Sequence, residues 1–193
     1  MVRPREFVKE QALEEAMQLF WDKGYEATSL SDLTAGMGIQ RPSLYAAFGD
    51  KKQLFESALR KYTAEHALHV KTMLAAGASV KEGFRLLFEG VVDEAGQGDS
   101  SRGCFCINTM VELAPHDEKF EILTREHQMY LAAIFQEALE KGKEAGELAP
   151  KLNVKAVAQT LVVSLIGLTV LMKSRPDRAF ADHSIQMVLG LID

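Results

Sequence analysis

The stretch Thr28 to Lys52, TSLSDLTAGMGIQRPSLYAAFGDKK, leaves few folds open to this chain. Ser29 is placed to cap a helix, and Asp32 three residues on meets its first N–H groups and the positive end of its dipole. Gly36-Met37-Gly38 ends that helix, since a residue without Cβ can take positive φ. A second helix starts near Gln40, with Pro42 in its first turn where a missing N–H does no harm. Phe48-Gly49-Asp50 stops it after about two turns. Leu33, Met37, Ile39 and Leu44 are apolar where two crossed helices must meet. This is the burial pattern of a helix-turn-helix, whose second helix enters the DNA major groove. Gln40, Arg41, Ser43, Ala46 and Ala47 face outward on it, small or able to hydrogen-bond. The same pattern also fits a small helical hairpin that touches no DNA.

The rest of the chain repeats the helical period. A helix from Glu6 to Lys23 carries Phe7, Ala12, Leu13, Ala16, Met17, Phe20 and Trp21 on one stripe and stops at Gly24. It supplies the third wall that two short helices need. Met1 to Arg5 reads as a short basic arm. Lys51 opens a helix running to Gly77, and Ser79 caps the next. Gly96 to Gly103 has loop composition. Further helices follow from Cys104, from Asp117 to Gly146, from Asn153 to Leu171 and from Asp177 to the end. The class is all-α, with about nine helices. With 193 residues there is room for one large domain or two small ones. The net charge of -5 excludes general coating of polyanions, so any DNA affinity must be local.

No apolar run opens the chain, so no signal peptide is expected. The longest apolar run, Leu161 to Met172, covers roughly 12 residues against the ~20 of a membrane span, so no membrane partner is expected. Cys104 and Cys106 are too few and too close for a secreted disulfide framework. These features point to the cytoplasm. The helix around Leu161 to Leu171 is apolar on all sides. One face packs inward, and the other suits pairing with a second copy in a four-helix arrangement. A wholly internal helix is the alternative.

Three runs carry a family resemblance: Gly24-Tyr25-x-x-Thr28-Ser29-Leu30-x-x-Leu33, Gly38-Ile39-x-x-x-Ser43-Leu44-Tyr45-x-x-Phe48 and Lys51-x-x-Leu54-Phe55. Together they resemble the TetR family of bacterial transcriptional repressors. Arg102-Gly103-Cys104 and Asn108-Thr109-x-x-Glu112-Leu113-Ala114-Pro115 resemble one subgroup of it. The resemblance implies an Ω-shaped homodimer. Residues 1–50 would form a three-helix, helix-turn-helix DNA-binding domain. Residues 51–193 would form a ligand-binding and dimerisation domain, with the helix from Lys51 shared between the two. It implies that Thr28 and Ser29 reach a phosphate, that Gln40, Arg41 and Ser43 meet bases or phosphates, and that Tyr45 and Lys51 hold phosphates. The partners would be a palindromic double-stranded operator and a small-molecule effector. Ala46 and Ala47 depart from the larger side chains usual in the family. Thr34 stands where alanine is usual, so its hydroxyl must find a backbone acceptor. Arg41, Lys51 and Lys52 against Asp50 make the local patch positive, and Arg3 and Arg5 could add minor-groove or phosphate contacts.

The effector site is less legible. Phe84, Phe88, Phe105 and Tyr130 read as inward-facing aromatics that could line an apolar pocket with Asn108 and His127, or could be plain core. Cys104, at a helix N-terminus beside Arg102, and Cys106 admit a thiol-based redox sensor; buried core thiols are the alternative. A metal set from Cys104, Cys106, His116 and His127 lacks the paired spacing of structural zinc, and His66 with His69 could at most share a face. No metal or cofactor is expected, and no catalytic constellation stands out. A helical small-molecule-binding protein without DNA readout is the remaining reading.

Overall fold

The computed structural model describes residues 3–96 and 102–193, with side chains described from Lys9 onward. Among the described residues there are nine α-helices, a closing 3-10 turn and no strand. The helices are α1 (Arg3–Lys23), α2 (Leu30–Gly36), α3 (Arg41–Phe48), α4 (Lys51–Ala76), α5 (Val80–Gly96), α6 (Phe105–Glu112), α7 (Glu118–Glu144), α8 (Val154–Met172) and α9 (Arg178–Leu189). The all-α expectation and its helix count hold.

The helix boundaries follow local chemistry. Ser29 accepts the N–H of Asp32 at 3.0 Å, and the Asp32 carboxylate accepts the N–H of Ser29 at 2.9 Å, a reciprocal capping box. A second box opens α4: Asp50 accepts from the N–H of Gln53 at 2.8 Å, and Gln53 accepts from the N–H of Asp50 at 3.0 Å. Asn153 and Asp177 cap α8 and α9, and Ser79 accepts the N–H of Glu82 in the first turn of α5. α1 already runs from Arg3, so Arg3 to Arg5 of the expected arm are helical. Residues 1 and 2, the side chains of Arg3 and Arg5, and residues 97–101 of the expected loop lie outside the described residues.

Two compact units are present. The first comprises Met1–Glu65 and Phe105–Thr124, and the second His66–Cys104 and Arg125–Asp193. They do not follow a single cut in the chain, for a physical reason. In the first unit Phe55 is the centre of an aromatic cluster, with Phe20 at 4.8 Å, Tyr25 at 5.1 Å, Phe105 at 5.2 Å and Phe120 at 5.3 Å, all edge-on. Each such pair contributes about 0.5–1.5 kcal/mol beyond its buried area. Phe105 and Phe120 therefore bind α6 and the start of α7 into the core that α1, α2 and α3 share with the start of α4. Leu33, Leu44 and Leu54 complete that core, fully buried.

The second unit is built on α5, which packs against both α8 and α9. Phe84 and Phe88 sit in its core with Phe135, Leu161, Leu165, Ile185 and Leu189. Asn153 starts α8 earlier than the apolar run alone suggested. At 19 residues and mean hydropathy 1.9, this helix is long and apolar enough by length and composition to cross a membrane. It buries Val154, Ala158, Leu161, Val162, Leu165, Leu168 and Met172 and leaves Val163 and Val170 exposed.

Candidate nucleic-acid interface

The outward side of α3 is formed as its sequence dictates. Gly38 takes φ +64°, which closes the turn between α2 and α3 with open space where a Cβ would stand. The Ile39 N–H reaches back to the Thr34 carbonyl at 3.1 Å. Thr34 resolves its unusual hydroxyl by donating to the Leu30 carbonyl at 3.0 Å. Gln40 stands at the N-cap of α3 without using its side chain as a cap, which leaves the amide free for an outside partner. Pro42 follows in the first turn. Leu44 and Phe48 are buried beneath, while Gln40, Arg41, Ser43 and Ala46 are exposed and Ala47 is half-buried. Tyr45 is 49% exposed. The structure therefore places five of the seven expected DNA residues, Ser29, Gln40, Arg41, Ser43 and Tyr45, at the surface.

The other two differ. Thr28 is fully buried, and its hydroxyl donates to the Gly24 carbonyl at 2.6 Å. It cannot meet a phosphate without opening the α1–α2 turn, so its part is to close that turn. Lys51 is half-buried, and its ammonium lies 4.3 Å over the centre of the Tyr25 ring. That contact, a cation on an aromatic face, aims it without neutralising it. Lys52, counted as part of the basic patch, is instead paired with Asp117. Arg41 also has a partner that the sequence did not suggest: its Nη2 donates to Ser31 Oγ on α2 at 3.2 Å. Spacing gives no signal for that tether, since it depends on how α2 and α3 cross. The Asp32 carboxyl is lowered to about 2 by its hydrogen bonds to Ser29 and then by Lys23, so it stays ionised in its cap.

The six expected effector residues are divided between the two units. Phe84 and Phe88 are core residues of the second unit. Phe105 belongs to the first, against Phe55 and, at 5.6 Å, Tyr62, and Asn108 lies with it on α6. Tyr130 does not point inward: it is 49% exposed and its hydroxyl accepts from Lys71 Nζ at 2.8 Å. The inner stripe of α7 runs through His127, Leu131, Ile134 and Phe135, one position away from the expected Tyr130. His127 is buried, and its Nε2 lies 3.0 Å from Nδ1 of His66. His66, which the sequence grouped with His69 on a shared face, falls between Tyr62 and Val70 on the buried stripe of α4 and pairs with His127 instead. A cleft of about 420 Å³ opens at the C-terminal end of α5, lined by Val92, Asp93, Met172, Arg175 and Arg178 among others. It includes none of the six. Cys104 and Cys106 are unbridged and both buried, which shields the thiols from oxidants. Among the described residues no group of three His, Cys, Asp or Glu side chains could hold a metal ion.

Comparison with known proteins agrees with this layout. Residues 12–58 match the family described as bacterial regulatory proteins, tetR family, and residues 81–188 match the tetracyclin repressor-like C-terminal domain. The chain is 32% identical over 194 residues to the uncharacterized HTH-type transcriptional regulator YezE of Bacillus subtilis (strain 168), covering all of both chains. It is 31% identical over 169 residues to the HTH-type transcriptional repressor ComR of Escherichia coli (strain K12), covering 87% of this chain and 80% of that one. Among solved structures, a cysteine variant of the TetR family regulator CifR in complex with 26-base-pair operator DNA has a TM-score of 0.80 at 29% identity, covering 95% of this chain and 96% of that one.

Proposed function

Because this chain belongs to the TetR family of bacterial transcriptional regulators, we propose that it is a repressor that binds a palindromic operator as a homodimer and releases it when a small molecule binds. The observation that carries the reading is the exposed face of α3, where Gln40, Arg41, Ser43 and Tyr45 stand on a capped and fully packed helix-turn-helix. Similarity to the repressor ComR and to CifR bound to operator DNA supports it.

In this reading Gln40, Arg41 and Ser43 meet base edges and phosphates, Tyr45 and Lys51 grip phosphates on either side of the groove, and Ser29 presents the start of α2 to a further phosphate. Ala46 and Ala47 offer methyl contacts only, so direct readout rests on few side chains. Residues 1–50 act as the DNA-reading domain, and residues 51–193 as the ligand-binding and dimerisation domain. The exposed Val163 and Val170 of α8 and Phe180 and Met187 of α9 supply an apolar face for a second copy in an Ω-shaped dimer. Two heads in such a dimer read half-sites about one DNA turn, ~34 Å, apart or a little more. The effector acts by population shift, fitting the splayed dimer better than the DNA-bound one. The protein works in the cytoplasm and carries out no catalysis.

The test is binding of the full chain to the DNA flanking its own gene, followed by fluorescence anisotropy at graded salt. The expected result is a saturable complex that weakens steeply as salt rises and outcompetes mixed-sequence DNA. Equal affinity for both duplexes would count against the reading.

A further inference from the structure

Glu112, the last residue of α6, reaches out of its own helix to the turn between α1 and α2. Its Oε2 accepts the backbone N–H of Tyr25 at 3.1 Å, and its Oε1 accepts the N–H of Glu26 at 2.9 Å. Both oxygens are thus spent on adjacent N–H groups that the turn itself leaves without acceptors. A carboxylate in this role makes charge-assisted hydrogen bonds, stronger than those between neutral groups. Gly24, directly before, is fitted to the contact in two ways. It takes φ +82°, and a Cβ there would stand 2.9 Å from Glu112 Oε2.

What the clamp holds is the residue that aims Lys51. Tyr25 presents its ring to the Lys51 ammonium at 4.3 Å, and the same ring packs edge-on against Phe55 at 5.1 Å. Its backbone is fixed by Glu112, its ring by the aromatic cluster, and Lys51 stands on the free face. Lys119 on α7 adds a second tie to the same unit, pairing with Glu56 on α4 at 2.7 Å. We propose that Glu112 is a positioning residue of the DNA grip: by holding the Tyr25 and Glu26 amides from α6, it sets the ring that places Lys51 for its phosphate. The proposal rests on the DNA-binding reading above. It makes the end of α6 a working part of the head, through a contact that touches no nucleic acid.

The test uses full-length Glu112→Ala, Glu112→Gln, Lys51→Ala and the double variant Glu112→Ala/Lys51→Ala, with the duplex flanking the gene as probe. Lys51→Ala should lower the slope of log affinity against log salt by about 0.9, one phosphate contact. Glu112→Ala should bind about tenfold more weakly, with a slope moved toward that of Lys51→Ala. The double variant should show no further fall in slope. Glu112→Gln keeps one acceptor oxygen and should lie between wild type and Glu112→Ala. In wild type the Tyr25 and Glu26 amides should be protected from hydrogen exchange, and Glu112→Ala should release them. A Glu112→Ala protein that only melts earlier, with the wild-type salt slope, has lost a structural contact and overturns the positioning role. Unprotected Tyr25 and Glu26 amides in wild type overturn it as well, whether or not the variants fold. Failure of the wild type to prefer its own DNA removes the operator reading and this role together, whereas wild-type preference with an unmoved slope in Glu112→Ala removes the role alone.

Discussion

His66 on α4 and the buried His127 on α7 form a partly buried imidazole pair, with Nδ1 of the first 3.0 Å from Nε2 of the second. One ring must donate and the other accept, so the pair is stable only while at least one of them is neutral. Burial first, then the charges of His127 and His69, lowers the His66 pKa to about 4, and burial lowers that of His127 to about 4. The hydrogen bond closes the interior of the second unit with two polar groups that satisfy each other.

A pH dependence follows from that pair. An unfolded histidine titrates near 6.5, so between about 6.5 and 4 the unfolded chain binds more protons than the folded one. Stability therefore stays level above that window and falls as pH drops through it. The two rings titrate together, so the loss belongs to the pair and should reach roughly 1–3 kcal/mol between pH 7 and pH 5. Thermal melting at the two pH values, in wild type and in His66→Leu/His127→Leu, measures it. The double variant should lose clearly less than wild type, and an equal loss in both would show that other groups carry the acid sensitivity.

Phe105 should behave as a core residue of the first unit. It is buried among Phe55, Tyr62 and, at 6.4 Å, Trp21. Phe105→Ala should cost about 3–5 kcal/mol, the range for removing a buried aromatic side chain. Denaturant unfolding followed by Trp21 fluorescence reads it, because Trp21 is the only tryptophan in the chain and lies in the same cluster. A change below about 1 kcal/mol would return Phe105 to the status of a pocket lining.

The contrast between these residues explains what the sequence disclosed. The helices were legible because caps, glycine stops and apolar period are local: Ser29 with Asp32, Gly38, Asn153 and Asp177 each announce a boundary within a few residues. The outward face of α3 was legible for the same reason. Partnerships between distant segments were not. Nothing near Arg41 points to Ser31, nothing near Lys52 points to Asp117, and Glu112 gives no local sign that it holds the turn after Gly24. Phe105 looked like a pocket residue because an aromatic on a short helix carries no label for which core it enters. On α7 a one-position shift in the inner stripe put Leu131 inside and Tyr130 outside, a distinction that a 3.6-residue period resolves poorly over few turns.

The tether between Ser31 and Arg41 makes a prediction about sequence readout. At 3.2 Å the hydroxyl holds the guanidinium against α2 before any DNA arrives, which lowers the entropy cost of placing a long side chain. Arg41→Ala should weaken binding by about 1–3 kcal/mol and flatten discrimination at one base pair per half-site. Ser31→Ala should keep the cation and lose only its orientation, with an effect of about 1 kcal/mol or less. Competition between the natural duplex and single-base variants separates the two. If Ser31→Ala discriminates as poorly as Arg41→Ala, the hydroxyl contacts DNA itself and is no mere tether.

The exposed face of α8 and α9 offers the sharpest test of assembly. Val163 is 68% exposed and Met187 75%, in a protein whose buried core already accounts for the opposite side of both helices. Apolar side chains so open to water gain by pairing with the same face of a second copy, at about 25 cal/mol per Å² removed from solvent. A charge in the middle of that face would be buried unpaired, and by symmetry it would meet its own copy. Val163→Glu should therefore leave the helical content unchanged and convert the protein to a monomer, seen by sedimentation at micromolar concentration. Because each half-site alone is a weak target, the same variant should lose most of its operator affinity while keeping its mixed-sequence binding. A Val163→Glu protein that sediments as wild type would place the interface elsewhere on the chain.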